Sequence, residues 1–316
     1  MALELTMILA QPRGFCAGVE RAIDIVEKAL IKYGAPVYVR HEIVHNRWVV
    51  DDLKSRGVIF VQEVDEIPDG GITIFSAHGI SEKVENSAKL RALPVLDATC
   101  PLVTKVHNQA RRYEKEGHDI VLIGHEGHPE VEGTSGRVNK VYLVSCEADV
   151  AALTVEHPDK VAYVTQTTLS VDDTRGIIEA LRKKFPAIVG PDVNDICYAT
   201  QNRQQAVKDL CQQVELLLVV GSTKSSNSNR LRDLGDEMGV QSYLIQDATD
   251  IDPEWLEGKN TIGLTAGAST PEVLVNRVVA FVGTLRPTQV KLLDGVVETV
   301  KFNLPRQIRN VGVPAA

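Results

Sequence analysis

Nowhere in the 316 residues is there a run approaching the roughly 18 apolar residues of a membrane span, so nothing in the sequence asks for a bilayer. There is no excess of positive charge either. With 34 basic against 42 acidic residues the net charge is −8, which argues against a general nucleic-acid or anionic-membrane surface, and any anionic ligand must be caught locally. The N-terminal "MALELTMILAQP" carries an acidic residue where an export signal needs basic ones, which makes the cytoplasm the expected location. Cysteine is scarce and odd in number: Cys16, Cys100, Cys146, Cys197 and Cys211 do not suggest a disulfide framework. No G-x-x-x-x-G-K-[ST] loop is present and no G-x-G-x-x-G follows a strand, so nucleotide binding has no support. What remains, 44% apolar and 24% charged residues, is ordinary globular material, enough for two or three compact domains.

Three segments align on a cysteine: "GFCAGVERAIDIVEKALIKYGAPVYVRHEIVH", "ATCPLVTKVHNQARRYEKEGHDIVLIGHEGH" and "DICYATQNRQQAVKDLCQQVELLLVVGSTKSS". After each cysteine the apolar residues take helical spacing. Val19, Ile23, Val26 and Leu30 do so in the first, Val103, Val106, Ala110 and Tyr113 in the second, and Ala199, Ala206 and Leu210 more weakly in the third. Gly34 and Gly117 stop the first two helices. The apolar runs that follow, "VYV", "IVLI" and "LLLVV", read as buried strands ending in polar residues: His45, His128 and Ser225. A second strand follows in each unit ("VIFV", "VYLV", "SYLI"), and a third ends at His78, Thr167 and Ser269.

Strands alternating with helices predict α/β domains with mostly parallel sheets covered on both faces. The boundaries expected from the copies are 17–100, 101–197 and 198–285, with residues 1–16 completing the third copy's sheet and 286–316 forming a tail. In that tail the alternation of Val296, Val300 and Phe302 suggests an extended segment, with the last residues, "GVPAA", fraying. Ligands of such sheets sit at the carboxyl ends of strands and at helix N-termini. A pseudo-three-fold, trefoil-like arrangement would therefore aim all the polar clusters, and all three cysteines, at one central cavity.

A helix N-terminus stabilises a thiolate, and three thiolates at one point require a cation or a cluster. The intervals from Cys16 to Cys100 and from Cys100 to Cys197 match no local zinc or ferredoxin spacing such as C-x₂-C, so the fold would have to assemble the site. Zinc with a fourth ligand and a [4Fe–4S] cluster with one open iron both suit the donor set. Cys146 and Cys211 fall outside the register and read as core thiols. His45, His78, His128, Ser225, Asn227 and Ser269 offer donors with little fixed charge beside helix starts, which makes an anion cradle. Glu130, in "GHPEVEGT", could favour a helix start or carry a proton to a leaving oxygen, with "TQTT" at Thr165–Thr168 relaying it.

The motifs "PRGFCAGV", "RHEIVHNR", "FSAHG", "DATCPLV", "GHPEVEGT", "TQTTLSVDDT", "DICYATQNRQ", "GSTKSSNSNRL" and "TAGAST", spread over about residues 7 to 275, resemble those of the 4-hydroxy-3-methylbut-2-enyl diphosphate reductase (LytB/IspH) family. The resemblance implies the last step of the non-mevalonate isoprenoid pathway, in which an allylic diphosphate loses its hydroxyl reductively to give isopentenyl and dimethylallyl diphosphate. It also implies that Cys16, Cys100 and Cys197 ligate a [4Fe–4S] cluster. His45, His78, His128, Ser225, Ser226, Asn227 and Ser269 would hold the diphosphate, Glu130 would deliver protons, Thr167 would orient the hydroxyl, and a ferredoxin or flavodoxin would supply electrons. Two other readings remain open on the residues alone. A zinc-dependent hydrolase of a phosphorylated substrate would be revealed by its metal content. A non-catalytic iron–sulfur sensor would have little use for a diphosphate cradle.

Overall fold

A computed structural model describes residues 4–312; the fraying expected of the last residues falls almost wholly on 313–316, outside the described residues. In chain order the first pass gives β1 (Leu5–Leu9), α1 (Ala17–Tyr33), β2 (Val37–Arg40), α2 (Arg47–Ser55), β3 (Val58–Val61), β4 (Thr73–Phe75), α3 (Glu82–Leu90) and β5 (Val95–Asp97). The second gives α4 (Pro101–Lys115), β6 (Asp119–Ile123), α5 (Pro129–Ser135), β7 (Val141–Val144), α6 (Glu147–Ala152), β8 (Val161–Thr165) and α7 (Val171–Lys184). The third gives α8 (Tyr198–Cys211), β9 (Leu216–Val220), α9 (Ser226–Glu237), β10 (Gln241–Ile245), β11 (Thr261–Ala266), α10 (Glu272–Leu285) and β12 (Thr288–Leu292).

All named strand pairings are parallel, in three sheets ordered β3-β2-β4-β5, β7-β6-β8 and β10-β9-β11-β1-β12. The repeat read from the sequence is therefore a repeat of topology. In each sheet the strand after the cysteine helix lies between the second and third strands of its copy. A fourth position follows the third strand: β5 in the first sheet, β1 in the third, and in the second only an isolated bridge between Ala162 and Val189. The N-terminal strand thus completes the third sheet. Residues 288–292 add a fifth strand to it, with Leu5 to Leu9 paired to Thr288 to Leu292 in register.

The chain divides into two compact units, one of residues up to 17, 45–49 and 198–300, the other of 18–44, 50–197 and 301 onward. The first holds the five-stranded sheet. Its strand β9 is apolar on both faces, as a parallel strand between helices must be: Leu216, Leu218 and Val220 pack with Leu274, Val275 and Val278 of α10, while Leu217 and Val219 pack with Val207 and Leu210 of α8 and Leu231 of α9. The second unit holds the other two sheets. Val121 and Ile123 of β6 face Ile177, Ile178 and Leu181 of α7, and Ile120 and Leu122 face Val106, Ala110 and Tyr113 of α4. Each such fully buried aliphatic side chain contributes about 1.5–3 kcal/mol.

The predicted punctuation is where the sequence put it. The three helices begin at Ala17, Pro101 and Tyr198, each one residue past its cysteine, and Gly34 and Gly117 follow the first two with φ of 77° and 79°. The third helix has a weak apolar pattern because its buried face is partly polar: Thr200, Arg203 and Gln204 are all almost completely buried. Among the described residues no helix is long and apolar enough to cross a membrane.

Candidate functional site

Among the described residues no cysteine takes part in a disulfide. The three in the repeat are half-buried and share one backbone arrangement: each amide donates to a carbonyl in the loop after the third strand of the preceding copy. Cys100 donates to Ala77 at 2.9 Å, Cys197 to Thr167 at 3.0 Å and Cys16 to Ala268 at 3.2 Å. The acceptors are next to, or are, the predicted strand-end residues His78, Thr167 and Ser269. Each helix start is thereby tied to a loop that carries a candidate binding residue, a pairing that sequence offsets alone do not reveal. The other two cysteines differ from one another. Cys211 is buried at the end of α8, and burial pushes its thiol up to about 11. Cys146, expected in the core, is exposed: it caps α6, where the Asp149 carboxylate accepts the amides of Ser145 and Cys146 at 2.7 and 3.1 Å. The short β7 ends before the pleat could turn its side chain inward.

In the second unit the candidate residues form a continuous run between Cys197 and Cys100. From the Thr167 carbonyl that holds Cys197, the Thr167 amide donates to Glu130 Oε1 at 2.6 Å and its hydroxyl to Oε2 at 2.9 Å. The Glu130 amide donates to His128 Nδ1 at 3.1 Å, capping α5. That bond fixes the tautomer, leaving the neutral ring's proton on Nε2. The His128 ring meets His78 edge-on with centroids 5.9 Å apart, and His78 adjoins Ala77, which holds Cys100. Gln166 stiffens the run, accepting the His125 amide at 3.1 Å and donating to Thr168 Oγ1 at 2.9 Å.

Glu130 is 3% exposed. Burial raises its carboxyl from 4.5 to about 7, against the lowering effect of the two Thr167 hydrogen bonds and with a further push from Asp195. Asp195 was not singled out in the sequence. It lies two residues before Cys197 with its side chain wholly buried and Lys105 Nζ 3.3 Å away, and burial raises its carboxyl too. An aspartate hard against "ICYA" is the only signal that could have found it.

The first unit brings together the other predicted residues. Ser225 caps α9 by accepting the Ser228 amide at 3.3 Å, which sets Ser226 and Asn227 in the first turn. Asn227 is 3% exposed, and among the described residues neither its Nδ2 nor its Oδ1 has a hydrogen-bond partner. A buried amide with donor and acceptor both unused has the capacity to bond a ligand in both senses. Gly267 makes room beside it: a Cβ there would lie 2.0 Å from Ser228 Oγ and 3.5 Å from Asn227 Nδ2. Ser269 donates to the His45 carbonyl at 3.0 Å, and Asn46 Oδ1 next to it accepts the Val49 amide, capping α2. Chemically, the first unit offers neutral donors beside one thiol, and the second offers imidazoles and a carboxylic acid near neutrality beside two.

The model of the LytB protein family matches residues 7–283. The 4-hydroxy-3-methylbut-2-enyl diphosphate reductase of Zymomonas mobilis is 59% identical over 308 residues, 97% of this chain and 91% of its own length. The Burkholderia pseudomallei protein of the same name is 60% identical over 305 residues, 96% of this chain and 97% of its own. Among solved structures, the E-1-hydroxy-2-methyl-but-2-enyl-4-diphosphate reductase from Plasmodium falciparum matches with a TM-score of 0.93 at 40% identity, covering 96% of this chain and 97% of its own.

Proposed function

The chain belongs to the LytB protein family, and on that footing we propose that it is a 4-hydroxy-3-methylbut-2-enyl diphosphate reductase. It would catalyse the terminal step of the non-mevalonate pathway, giving isopentenyl and dimethylallyl diphosphate. The allylic C–O bond breaks, two electrons and two protons enter, and water leaves. The observation that supports this most directly is the run from Cys197 through Thr167, Glu130 and His128, which ties an acid raised to about 7 to the backbone of a candidate ligand cysteine.

Cys16, Cys100 and Cys197 fit a [4Fe–4S] cluster: soft donors engaged in no disulfide, each at the start of a helix of 14 residues or more whose positive end favours the thiolate. When bound, such a cluster supplies the electrons and Lewis acidity at the reacting carbon–oxygen bond. The chain's own residues do the rest. Glu130 in its neutral form donates a proton to the departing oxygen, and the Thr167 hydroxyl, held by Glu130 Oε2, orients that oxygen. Asn227, Ser225, Ser226 and Ser269, with His45, His78 and His128, would hold the diphosphate by N–H and O–H donors in place of lysines. A ferredoxin or flavodoxin would deliver electrons, and the cytoplasm is the proposed setting.

The test is iron and acid-labile sulfide on protein purified without air, followed by substrate turnover with a chemical reductant. About four of each per chain and conversion of the allylic diphosphate are expected. Zinc without sulfide, or a loaded protein inert toward the substrate, would overturn the reading.

A further inference from the structure

Each of the three helices that follow a cysteine carries a cation about a turn and a half from its start, and each cation reaches the backbone just ahead of the next cysteine. Arg21, in α1 after Cys16, donates to the carbonyls of Thr99 at 3.1 Å and Asp97 at 3.4 Å, immediately before Cys100. Lys105, in α4 after Cys100, donates to the Asn194 carbonyl at 2.9 Å and lies 3.3 Å from the Asp195 carboxylate, two to three residues before Cys197. Arg203, in α8 after Cys197, donates from Nε and Nη2 to the Gly14 carbonyl at 3.1 and 2.8 Å and from Nη2 to Phe15 at 3.2 Å, immediately before Cys16. The order is cyclic, first copy to second, second to third, third to first.

The last of these is the most strongly built. The Arg203 side chain is 0% exposed, and its remaining N–H groups go to the Ala199 carbonyl at 2.8 Å and to both oxygens of Glu298 at 3.1 to 3.2 Å, so its buried charge is neutralised and its fork immobile. The segment it grips is fixed from the other side as well. The Gly14 amide donates to Ala266 at 3.0 Å and the Cys16 amide to Ala268 at 3.2 Å, while Gly14 takes a φ of 67° that favours glycine. With those amides and carbonyls all bonded, the direction of the Cys16 Cα–Cβ bond is set by Arg203 together with the end of β11 and the loop after it.

We propose that Arg21, Lys105 and Arg203 are positioning residues, each fixing the thiol of the following copy, with Glu298 as the counter-ion that lets Arg203 do so while buried. This rests on the reading of Cys16, Cys100 and Cys197 as cluster ligands. Hydrogen-bonding partners one shell out from a metal's ligands change its retention by about 10- to 100-fold. The bonding makes the effect graded: Arg203 holds two carbonyls by three bonds from full burial, Arg21 two by one bond each, and Lys105 one from a half-exposed position.

The experiment uses the holoenzyme prepared without air, as wild type, Arg203→Lys, Arg21→Gln, Lys105→Gln and Glu298→Gln. It measures the rate of iron transfer to a chelator, the electron paramagnetic resonance spectrum of the reduced protein, and the melting midpoint of the iron-free protein. The expected result is faster iron release in the order Arg203→Lys, Arg21→Gln, Lys105→Gln, about tenfold or more for the first, with an altered spectrum. The half-exposed Lys105 and Arg21 variants should show an unchanged iron-free melting midpoint. Glu298→Gln should release iron faster than wild type, and Glu298→Asp should restore part of the difference. If Arg203→Lys does not fold, Arg21→Gln and Glu298→Gln decide the matter. Wild-type release rates and spectra in both would overturn the proposal, whereas a wild-type protein that holds no iron would overturn the ligand reading itself.

Discussion

Replacing Glu130 by glutamine separates the two consequences of its burial. The carboxyl is 3% exposed and its pKa is raised from 4.5 to about 7, so between those values the native state holds a proton that the unfolded chain has released. The native state binding more protons means that stability falls as pH rises through this window and levels off above about 7. At 1.36 kcal/mol per unit the whole effect is about 3 kcal/mol. Glutamine has no proton to lose there and can keep both contacts, its oxygen accepting the Thr167 amide and its NH₂ donating to the Thr167 hydroxyl. Relative to wild type the variant should therefore gain stability between pH 5 and pH 8, read as a growing difference in urea midpoint. Its turnover should fall by about 10² or more, because a general acid contributes that much. Wild-type turnover should decline above about pH 7 as Glu130 ionises. A stability difference that ignores pH would show that Glu130 titrates normally, and near-normal turnover in the variant would remove it from proton delivery.

Changing Cys16, Cys100 or Cys197 to serine should abolish both iron content and turnover, whereas Cys211→Ser and Cys146→Ser should keep both; a loaded, active Cys197→Ser enzyme would refute the ligand assignment. Asn227→Ala should weaken binding of inorganic pyrophosphate by about tenfold, the loss of roughly one net hydrogen bond, as measured by titration calorimetry, and unchanged affinity would exclude Asn227 from the cradle. Gly267→Ala puts a methyl 2.0 Å from the buried Ser228 Oγ and should cost about 1–3 kcal/mol by overpacking. Ser228→Ala, introduced with it, should recover part of that in thermal melts; no recovery would locate the clash elsewhere.

Periodic and local features were legible. The strand runs "VYV", "IVLI" and "LLLVV" are β2, β6 and β9, and the cysteines open helices because apolar spacing begins just after them. Features made by partners distant in sequence were not. The strand β12 is largely exposed and shows no buried stripe; its place comes from backbone pairing with β1 at the other end of the chain. Arg203 disguised its own helix. A buried guanidinium interrupts the apolar spacing of α8, and its partners Gly14, Phe15 and Glu298 are far away in sequence. The fourth strand of the second sheet shrank to the Ala162–Val189 bridge, which no periodicity could announce.

A donor without fixed charge suits the buried acid of the second unit. Holding a diphosphate with lysines would be the obvious electrostatic solution in a chain of net charge −8. A cation within about 4–6 Å of Glu130, however, would lower its carboxyl by about 1–3 units, returning it toward 4.5 and leaving it ionised at neutral pH. An ionised Glu130 could neither donate a proton nor sit comfortably near a polyanion. The structure avoids this in the second unit, where the group capping Glu130's own helix is His128, held as the Nε2–H tautomer by the bond from the Glu130 amide. Asp195, of like sign, pushes the same way as burial. An imidazole accepting at Nδ1, rather than a lysine, is thus what the cap of α5 must use if the buried carboxylic acid beside it is to keep its proton at pH 7.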